Sequence, residues 1–287
     1  MARADLLKKL FSSFKQDDKE MFYTVATEII EDEKKKNHGI LADDLKLILN
    51  GNYQMKKTNM LSSGTPKDKD KDMSLVEIMY PEKYFSDLIV SEEKISQLGQ
   101  IIKEFNNWDV LVSNGVFPIR RALFYGPPGC GKTLAAQALA GEIGIPMLYV
   151  RFDALISSYL GETASNIRKV FDYAKKDSWL IFFDEFDAIG RSRNDSTEHG
   201  EIKRVVNAFL QQIDNYNGRS LIIAATNFEQ SLDYAIWRRF DETIRFDMPS
   251  NEEKIKLFEL KMNRFKGPSH VIEQYLNELE AFSHSDI

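Results

Sequence analysis

One run of residues constrains this chain more than any other: Gly126-Pro127-Pro128-Gly129-Cys130-Gly131-Lys132-Thr133. It fits the G-x-x-x-x-G-K-[ST] pattern of a phosphate-binding loop. Glycines at 126, 129 and 131 let the backbone turn tightly and bring its N–H groups up to phosphate oxygens. Lys132 supplies a point charge for the β- and γ-phosphates, and Thr133 a hydroxyl for Mg²⁺. The setting agrees. Arg121 to Tyr125 reads as a strand entering the loop, and Leu134 to Ala140 as a helix leaving it. Pro128, Gly129, Cys130, Gly131, Lys132, Thr133 and Leu134 are therefore the expected nucleotide contacts.

Composition narrows the setting. The 287 residues, 43% of them hydrophobic, suffice for one α/β core and a small second unit. A net charge of −6 lacks the basic field that broad nucleic-acid binding requires. The single cysteine, Cys130, permits no internal disulfide, which points to a reducing, cytoplasmic compartment. Its position inside the loop allows a redox sensor, but a small tolerated residue is the simpler reading. Apolar runs such as Trp179 to Phe183 are too short for a bilayer, so no membrane partner is expected. Four scattered histidines offer no zinc-site spacing.

Three units emerge from the pattern. Residues 1–53 read as a small helical domain with apolar faces at Leu6, Leu7, Leu10, Phe11 and Phe14, at Met21, Phe22, Val25, Ile29 and Ile30, and at Ile40, Leu41, Leu45, Ile48 and Leu49. Residues 54–77 contain Ser62-Ser63-Gly64-Thr65-Pro66 and the alternating Lys67 to Asp72, and read as a flexible linker. Residues 78–249 alternate strands and helices, which predicts a three-layer α/β sandwich around a five-stranded parallel sheet. The expected strands are Leu123–Tyr125, Met147–Phe152, Leu180–Phe183, Leu221–Ala225 and Thr243–Phe246. Residues 250–287 read as two helices split by Gly267-Pro268.

Further chemistry gathers at predicted strand ends. Leu180 to Phe183 is an apolar strand closed by Asp184 and Glu185, at the edge where ligands collect in open α/β sheets. Asp184 suits Mg²⁺, and Glu185 suits a base acting on the water that attacks the γ-phosphate. An acidic helix N-terminus is the bland alternative. Leu221 to Thr226 ends in Asn227, whose amide can orient the same water, or serve as an ordinary turn residue. Arg238 and Arg239 are either surface ion-pair partners or cations reaching a neighbouring subunit's γ-phosphate.

These elements, in this order, resemble the AAA ATPase family from Pro81 to Ile287, a P-loop NTPase fold using ATP and Mg²⁺. The resemblance makes 126–133 the Walker A loop, 180–185 the Walker B strand, Asn227 sensor 1, and Asp233 to Asp241 the second region of homology. It implies base contacts by Asp87 and Ile89, in Phe85-Ser86-Asp87-Leu88-Ile89, and by Ser285. The contiguous Arg238-Arg239 is similar to the katanin and spastin branch and leaves open which of the two is the principal finger. Ser158-Tyr159-Leu160-Gly161-Glu162 resembles the first pore loop, so Tyr159 and Leu160 would grip an extended polypeptide in the channel of a homo-hexamer. Arg191 to Glu201 would be a second pore loop, or simply a solvated charged segment.

Phe282-Ser283-His284-Ser285-Asp286-Ile287 resembles the Phe-Ser-Gly-Ala-Asp-Ile that opens the sensor 2 helix, which makes residues 250–287 a truncated helical lid and leads to the expectation of a truncated chain. The implied function is an ATPase that remodels, unfolds or threads protein substrates, with an adaptor or effector recruited through residues 1–53 and a separately encoded protease as one such partner. A nucleic-acid motor, or an ATP-controlled assembly switch without threading, is the alternative.

Overall fold

The computed structural model describes residues 4–15, 18–35, 41–42, 45–46, 49, 65–67, 73–150, 155, 162–186, 199–228, 230, 232, 234–262 and 282–287. The pore-loop expectation at Tyr159 and Leu160, and the second-loop expectation at Arg191 to Glu198, lie outside them.

Two helices lead the chain, α1 (Ala4–Lys15) and α2 (Lys19–Lys35). Leu6, Val25 and Ile29 are buried between them, with Leu10 and Leu45 alongside. Asp18 caps the second helix, its carboxylate accepting from the Met21 amide at 3.0 Å.

The sheet begins with β1 (Val76–Met79). A 3-10 turn at Phe85–Asp87 and helices α3 (Glu92–Asn106) and α4 (Trp108–Ser113) precede β2 (Arg121–Tyr125). Next come α5 (Lys132–Ile143), β3 (Met147–Val150), α6 (Thr163–Ala174), β4 (Leu180–Phe183) and α7 (His199–Asn215). Strand β5 (Leu221–Thr226), the short α8 (Tyr234–Trp237), β6 (Glu242–Arg245) and α9 (Asn251–Met262) complete the described elements.

The order in space is β1-β3-β4-β5-β2-β6. The five strands expected from sequence are parallel; the correction is a sixth, β1, running antiparallel to β3 with Val76 opposite Val150 and Met79 opposite Met147. An antiparallel edge strand needs no crossover helix, so the β–α alternation that signals the parallel strands is silent about it. Leu75 and Val76 are buried, and the Leu75 amide donates to the Pro66 carbonyl at 2.8 Å. The stretch read as linker, 54–77, therefore ends in ordered strand. Its parts 54–64 and 68–72 lie outside the described residues.

Strand pleating produces the three layers. Leu180 and Phe182 of β4 face a core with Phe105, Ala136, Leu139 and Ile143 of α3 and α5. Ile181 and Phe183 face the other core, with Phe171 of α6 and Phe209 and Ile213 of α7. Because central strands are buried on both faces, they read as continuous apolar runs rather than alternating ones. Parallel alignment places the carboxyl ends of β2, β3, β4, β5 and β6 along one edge. Strand β5 lies between β2 and β4, so the residues leaving β5 stand between the phosphate loop and the Asp184-Glu185 pair.

Candidate nucleotide site

At that edge is a cavity of about 470 Å³, lined from Asp87 to Ile89, Pro128 to Leu134, by Asp184, Glu185 and Asn227, and by residues of α9 and the 284–285 turn. Its size falls in the range of roughly 300–1,000 Å³ usual for small-molecule sites.

The phosphate loop forms its floor. Gly126 has φ +132°, and a Cβ there would collide with the Phe246 carbonyl, so the turn out of β2 is closed to every other residue. Gly129, at φ +72°, faces a different wall: a Cβ would run into the hydroxyls of Ser283 and Ser285. The loop opens directly into α5, whose first-turn N–H groups and dipole favour an anion at this point. Lys132 is only 6% exposed, and its ammonium donates to the carbonyls of Gly126 and Pro127 at 2.8 and 2.7 Å. A charge so deeply placed is held by the loop it serves. Cys130 is buried, its sulfur 3.7 Å from Met248 Sδ, and burial pushes the thiol pKa up against the opposing pull of Lys132. Fully buried and poor in thiolate, Cys130 matches the packing role better than the sensor role.

Opposite the loop, the Thr133 hydroxyl donates to Asp184 Oδ2 at 3.0 Å. This hydroxyl and carboxylate, drawn together from α5 and the end of β4, form the hard oxygen pair that suits Mg²⁺ beside phosphate oxygens. Glu185 is exposed and has φ +51°, the one positive φ among the described non-glycine residues. That conformation costs a residue with a Cβ about 1–2 kcal/mol. It is held by two contacts: the Glu185 amide donates to Asp184 Oδ1 at 2.9 Å, and the Phe186 amide to the Ala225 carbonyl at 2.8 Å. Strain maintained at the carboxylate beside a phosphate loop is the kind that functional sites retain. Asn227 leaves β5 between the loop and the acidic pair, as the strand order requires.

The far end of the cavity is built from distant segments. Asp87 lies in the 3-10 turn, where its carboxylate accepts from the Tyr84 amide at 3.0 Å. Ile89 comes just after that turn and lines the cavity with Leu88. Leu257, Leu260 and Lys261 of α9 form another wall. The Ser285 amide donates to the Gly129 carbonyl at 3.1 Å, so Ser285 anchors this wall to the phosphate loop. Asp286 accepts from the Ser283 amide at 2.8 Å and hydroxyl at 2.7 Å, the reach-back of a helix start, and these bonds hold its pKa below the usual carboxylate value. Leu88, Leu257, Leu260, Lys261 and His284 were not expected from sequence. Apolar residues at helical spacing signal a core before they signal a ligand wall.

The arginine pair lies outside the cavity lining. Arg239 is engaged: its Nε donates to Asp214 at 2.9 Å and a terminal nitrogen to the Ala235 carbonyl at 2.7 Å. Arg121 bridges Asp241 at 2.9 Å and approaches Asp214 at 3.9 Å, so the group ties β2, α7 and the segment after α8 together. Arg238 is exposed, its guanidinium 5.5 Å from the centroid of the Tyr234 ring.

A phosphate loop, an acidic pair at the end of a neighbouring strand and an amide between them make a site for nucleoside triphosphate hydrolysis. The model of the ATPase family associated with various cellular activities (AAA) matches residues 122–248. An AAA family ATPase of Sinorhizobium fredii (strain NBRC 101917 / NGR234), y4kL, is 42% identical over 291 residues, covering 100% of this chain and 86% of that protein. The chain belongs to the AAA ATPase family. It is also 33% identical over 210 residues to the proteasome-activating nucleotidase of Pyrococcus abyssi (strain GE5 / Orsay), covering 70% of this chain and 53% of the nucleotidase. To the ATP-dependent zinc metalloprotease FtsH 3 of Sphaerobacter thermophilus (strain ATCC 49802 / DSM 20745 / KCCM 41009 / NCIMB 13125 / S 6022) it is 36% identical over 186 residues, 63% of this chain and 38% of FtsH 3. The chain thus spans about half or less of these two relatives. The crystal structure of the FIGL-1 AAA domain superimposes with a TM-score of 0.62 at 24% identity, over 79% of this chain and 74% of that one, which establishes the shared fold. This AAA ATPase binds and hydrolyses ATP, as its family does. No helix among its described residues is long and apolar enough to cross a membrane.

Proposed function

We propose that this AAA ATPase is a Mg²⁺-dependent, ring-forming enzyme that uses ATP hydrolysis to remodel or thread protein substrates. The observation that carries the reading is the contrast between the adjacent arginines. Arg239 is fastened within its own subunit by Asp214 and Ala235, whereas Arg238 is exposed and lies outside the cavity lining. An exposed cation that stands outside its own subunit's cavity lining suits stabilisation of transition-state charge in a neighbouring copy. Arg238 is accordingly the principal finger, and Arg239 holds the segment that presents it.

Within one subunit the roles derive from position. The loop amides of Gly129, Gly131 and Lys132 cradle phosphate oxygens, and the Lys132 ammonium neutralises charge on the β- and γ-phosphates. Thr133 and Asp184 would hold Mg²⁺, which when bound would supply charge neutralisation beside the phosphates. Glu185 takes the proton of the attacking water, and Asn227 orients that water.

The protein-directed half of the reading is supported by relatives whose names join nucleotides to proteolysis, the proteasome-activating nucleotidase and FtsH 3. A separately encoded protease is the effector they suggest, and Tyr159 with Leu160 the grip on substrate. The amino-terminal helices expose Leu7, Phe11, Phe14, Met21 and Tyr23, an apolar face suited to an adaptor or substrate. The test is the mass of the assembly formed by the Glu185→Gln variant with ATP, together with unfolding of a tagged fluorescent protein. The reading predicts a closed hexamer, and a Tyr159→Ala variant that hydrolyses ATP without unfolding. A monomer, or turnover stimulated by DNA and indifferent to Tyr159, would overturn it.

A further inference from the structure

The carboxylate pair at the end of β4 stands on a cluster of phenylalanine rings. Asp184 and Glu185 lie between Phe183 and Phe186, and both of those rings are fully buried. Each leans on the same partner, Phe209 of α7, which is fully buried as well. Phe183 meets it edge-on, with ring centroids 4.9 Å apart and planes at 85°, and Phe186 meets it at 4.8 Å and 50°. Aromatic pairs at such distances and tilts add stabilisation beyond the area they bury.

Strand geometry alone would not bring these rings together. In an extended strand, residues at positions 183 and 186 point to opposite faces of the sheet. Here both rings enter one core with Phe209, because the chain turns at Glu185, whose φ of +51° brings Phe186 back to the face that carries Phe183. The turn and the two ring contacts therefore depend on each other: relaxing Glu185 to a negative φ would swing Phe186 off Phe209. The Phe186 amide bond to the Ala225 carbonyl, at 2.8 Å, fixes the same turn from the backbone side. An unfavourable backbone state persists only where its surroundings over-determine it, and two buried rings wedged on one partner do so here. What they secure is a carboxylate. Glu185 is exposed in the cavity, so the direction in which its side chain leaves is set by the backbone beneath it.

We infer that Phe209 is a positioning residue for hydrolysis: by gripping Phe183 and Phe186 together, it keeps Glu185 in the backbone state that aims its carboxylate at the attacking water. The inference rests on the reading of Glu185 as the base. A base has to come within hydrogen-bond reach of the proton it takes, so a small misplacement costs rate without costing affinity. Phe209 is remote in sequence and outside the cavity lining, and acts only through the residues it holds.

The test compares Phe209→Leu with Phe171→Leu in the full chain, by single-turnover ATP hydrolysis, ADP titration calorimetry and thermal melting. Phe171 belongs to the same core, stacking on Phe183 at 5.8 Å and 25° and meeting Phe209 at 6.1 Å, so its variant measures the effect of lost packing alone. Both variants should melt earlier. Phe209→Leu is expected to lower the hydrolysis rate about tenfold with ADP affinity held within about twofold, while Phe171→Leu keeps its rate within about twofold. In a Glu185→Gln background Phe209→Leu should slow the residual rate no further, because the group it positions is already gone. Phe186→Leu breaks the same contact from the other side and should reproduce the split, which keeps the test open should Phe209→Leu not fold. Equal rate losses in the Phe209 and Phe171 variants, a further loss on top of Glu185→Gln, or an undiminished rate in Phe209→Leu would overturn the inference. Full turnover by Glu185→Gln would instead remove the base reading beneath it.

Discussion

The two ends of the nucleotide cavity are built on opposite plans. The phosphate end is backbone: positive-φ glycines, the first turn of α5, and short polar side chains at strand ends. The other end, which we propose receives the base, is side chains from segments far apart in the chain, 87–89, 257–261 and 284–285, which meet only in the folded molecule. The first plan tolerates almost no substitution and gives chemistry. The second adapts, and gives affinity and choice of ligand. They join at Gly129, where the loop faces the phosphate on one side and the hydroxyls of Ser283 and Ser285 on the other.

The largest effect that tests this division is on turnover. Glu185→Gln is expected to lower kcat by about 10²–10⁴-fold while ADP affinity, set elsewhere in the cavity, stays within twofold, roughly what one general base contributes. A variant that lost affinity to the same degree would erase the distinction between the ends. Next come the glycines. Gly126→Ala places a methyl against the Phe246 backbone at φ +132°, and a sharp fall in Tm is expected, since neither strand can yield. Gly129→Ala costs about 1–2 kcal/mol in backbone strain, and its methyl pushes aside two serine side chains. There Tm should fall less, and ADP affinity should drop as the 283–286 turn lifts. Equal melting losses would show that the seam is no softer than the floor.

The smallest effect is a pH dependence confined to the base end. His284 has a folded-state pKa lowered by burial, so the unfolded chain binds the extra proton first. Stability from the neutral ring is complete above about pH 6.5, the unfolded value, and is lost as pH falls from there through the folded pKa. The charges facing the ring from α3 and α9 are Lys94 and Glu253, with Lys261 also on the cavity wall. Melting between pH 7.5 and 5.5 should therefore drop further for the unaltered chain than for His284→Leu. Identical slopes would mean that the ring is not held neutral.

The same division decides what could be read from the sequence. The phosphate end is legible because its determinants are contiguous. Glycine spacing encodes the turn, and an apolar run closed by Asp184-Glu185 encodes a buried strand and its exposed end. The parallel strands are legible because β–α alternation repeats. Strand β1 is not, because four residues beside a charged stretch carry too little periodicity, and its pairing with β3 is long-range. The φ of Glu185 is invisible too, since the bonds that impose it come from Asp184 and from Ala225 on another strand. Leu257 and Leu260 look like a helix's core face until the fold turns them toward a cavity. The proposed choice of Arg238 over Arg239 rests on the position of Asp214, on a helix distant in sequence.

The central claim is that hydrolysis at one subunit's cavity depends on Arg238 of another. It is tested most directly by mixing two inactive variants, Glu185→Gln, with a spoiled site and an intact finger, and Arg238→Ala, with an intact site and no finger. The ATPase rate is then measured against their ratio. The account predicts that hydrolysis reappears on mixing and peaks near equal proportions, because an Arg238→Ala site borrows its neighbour's arginine. No recovery in assemblies shown to contain both variants, or full activity of Arg238→Ala alone, would contradict it.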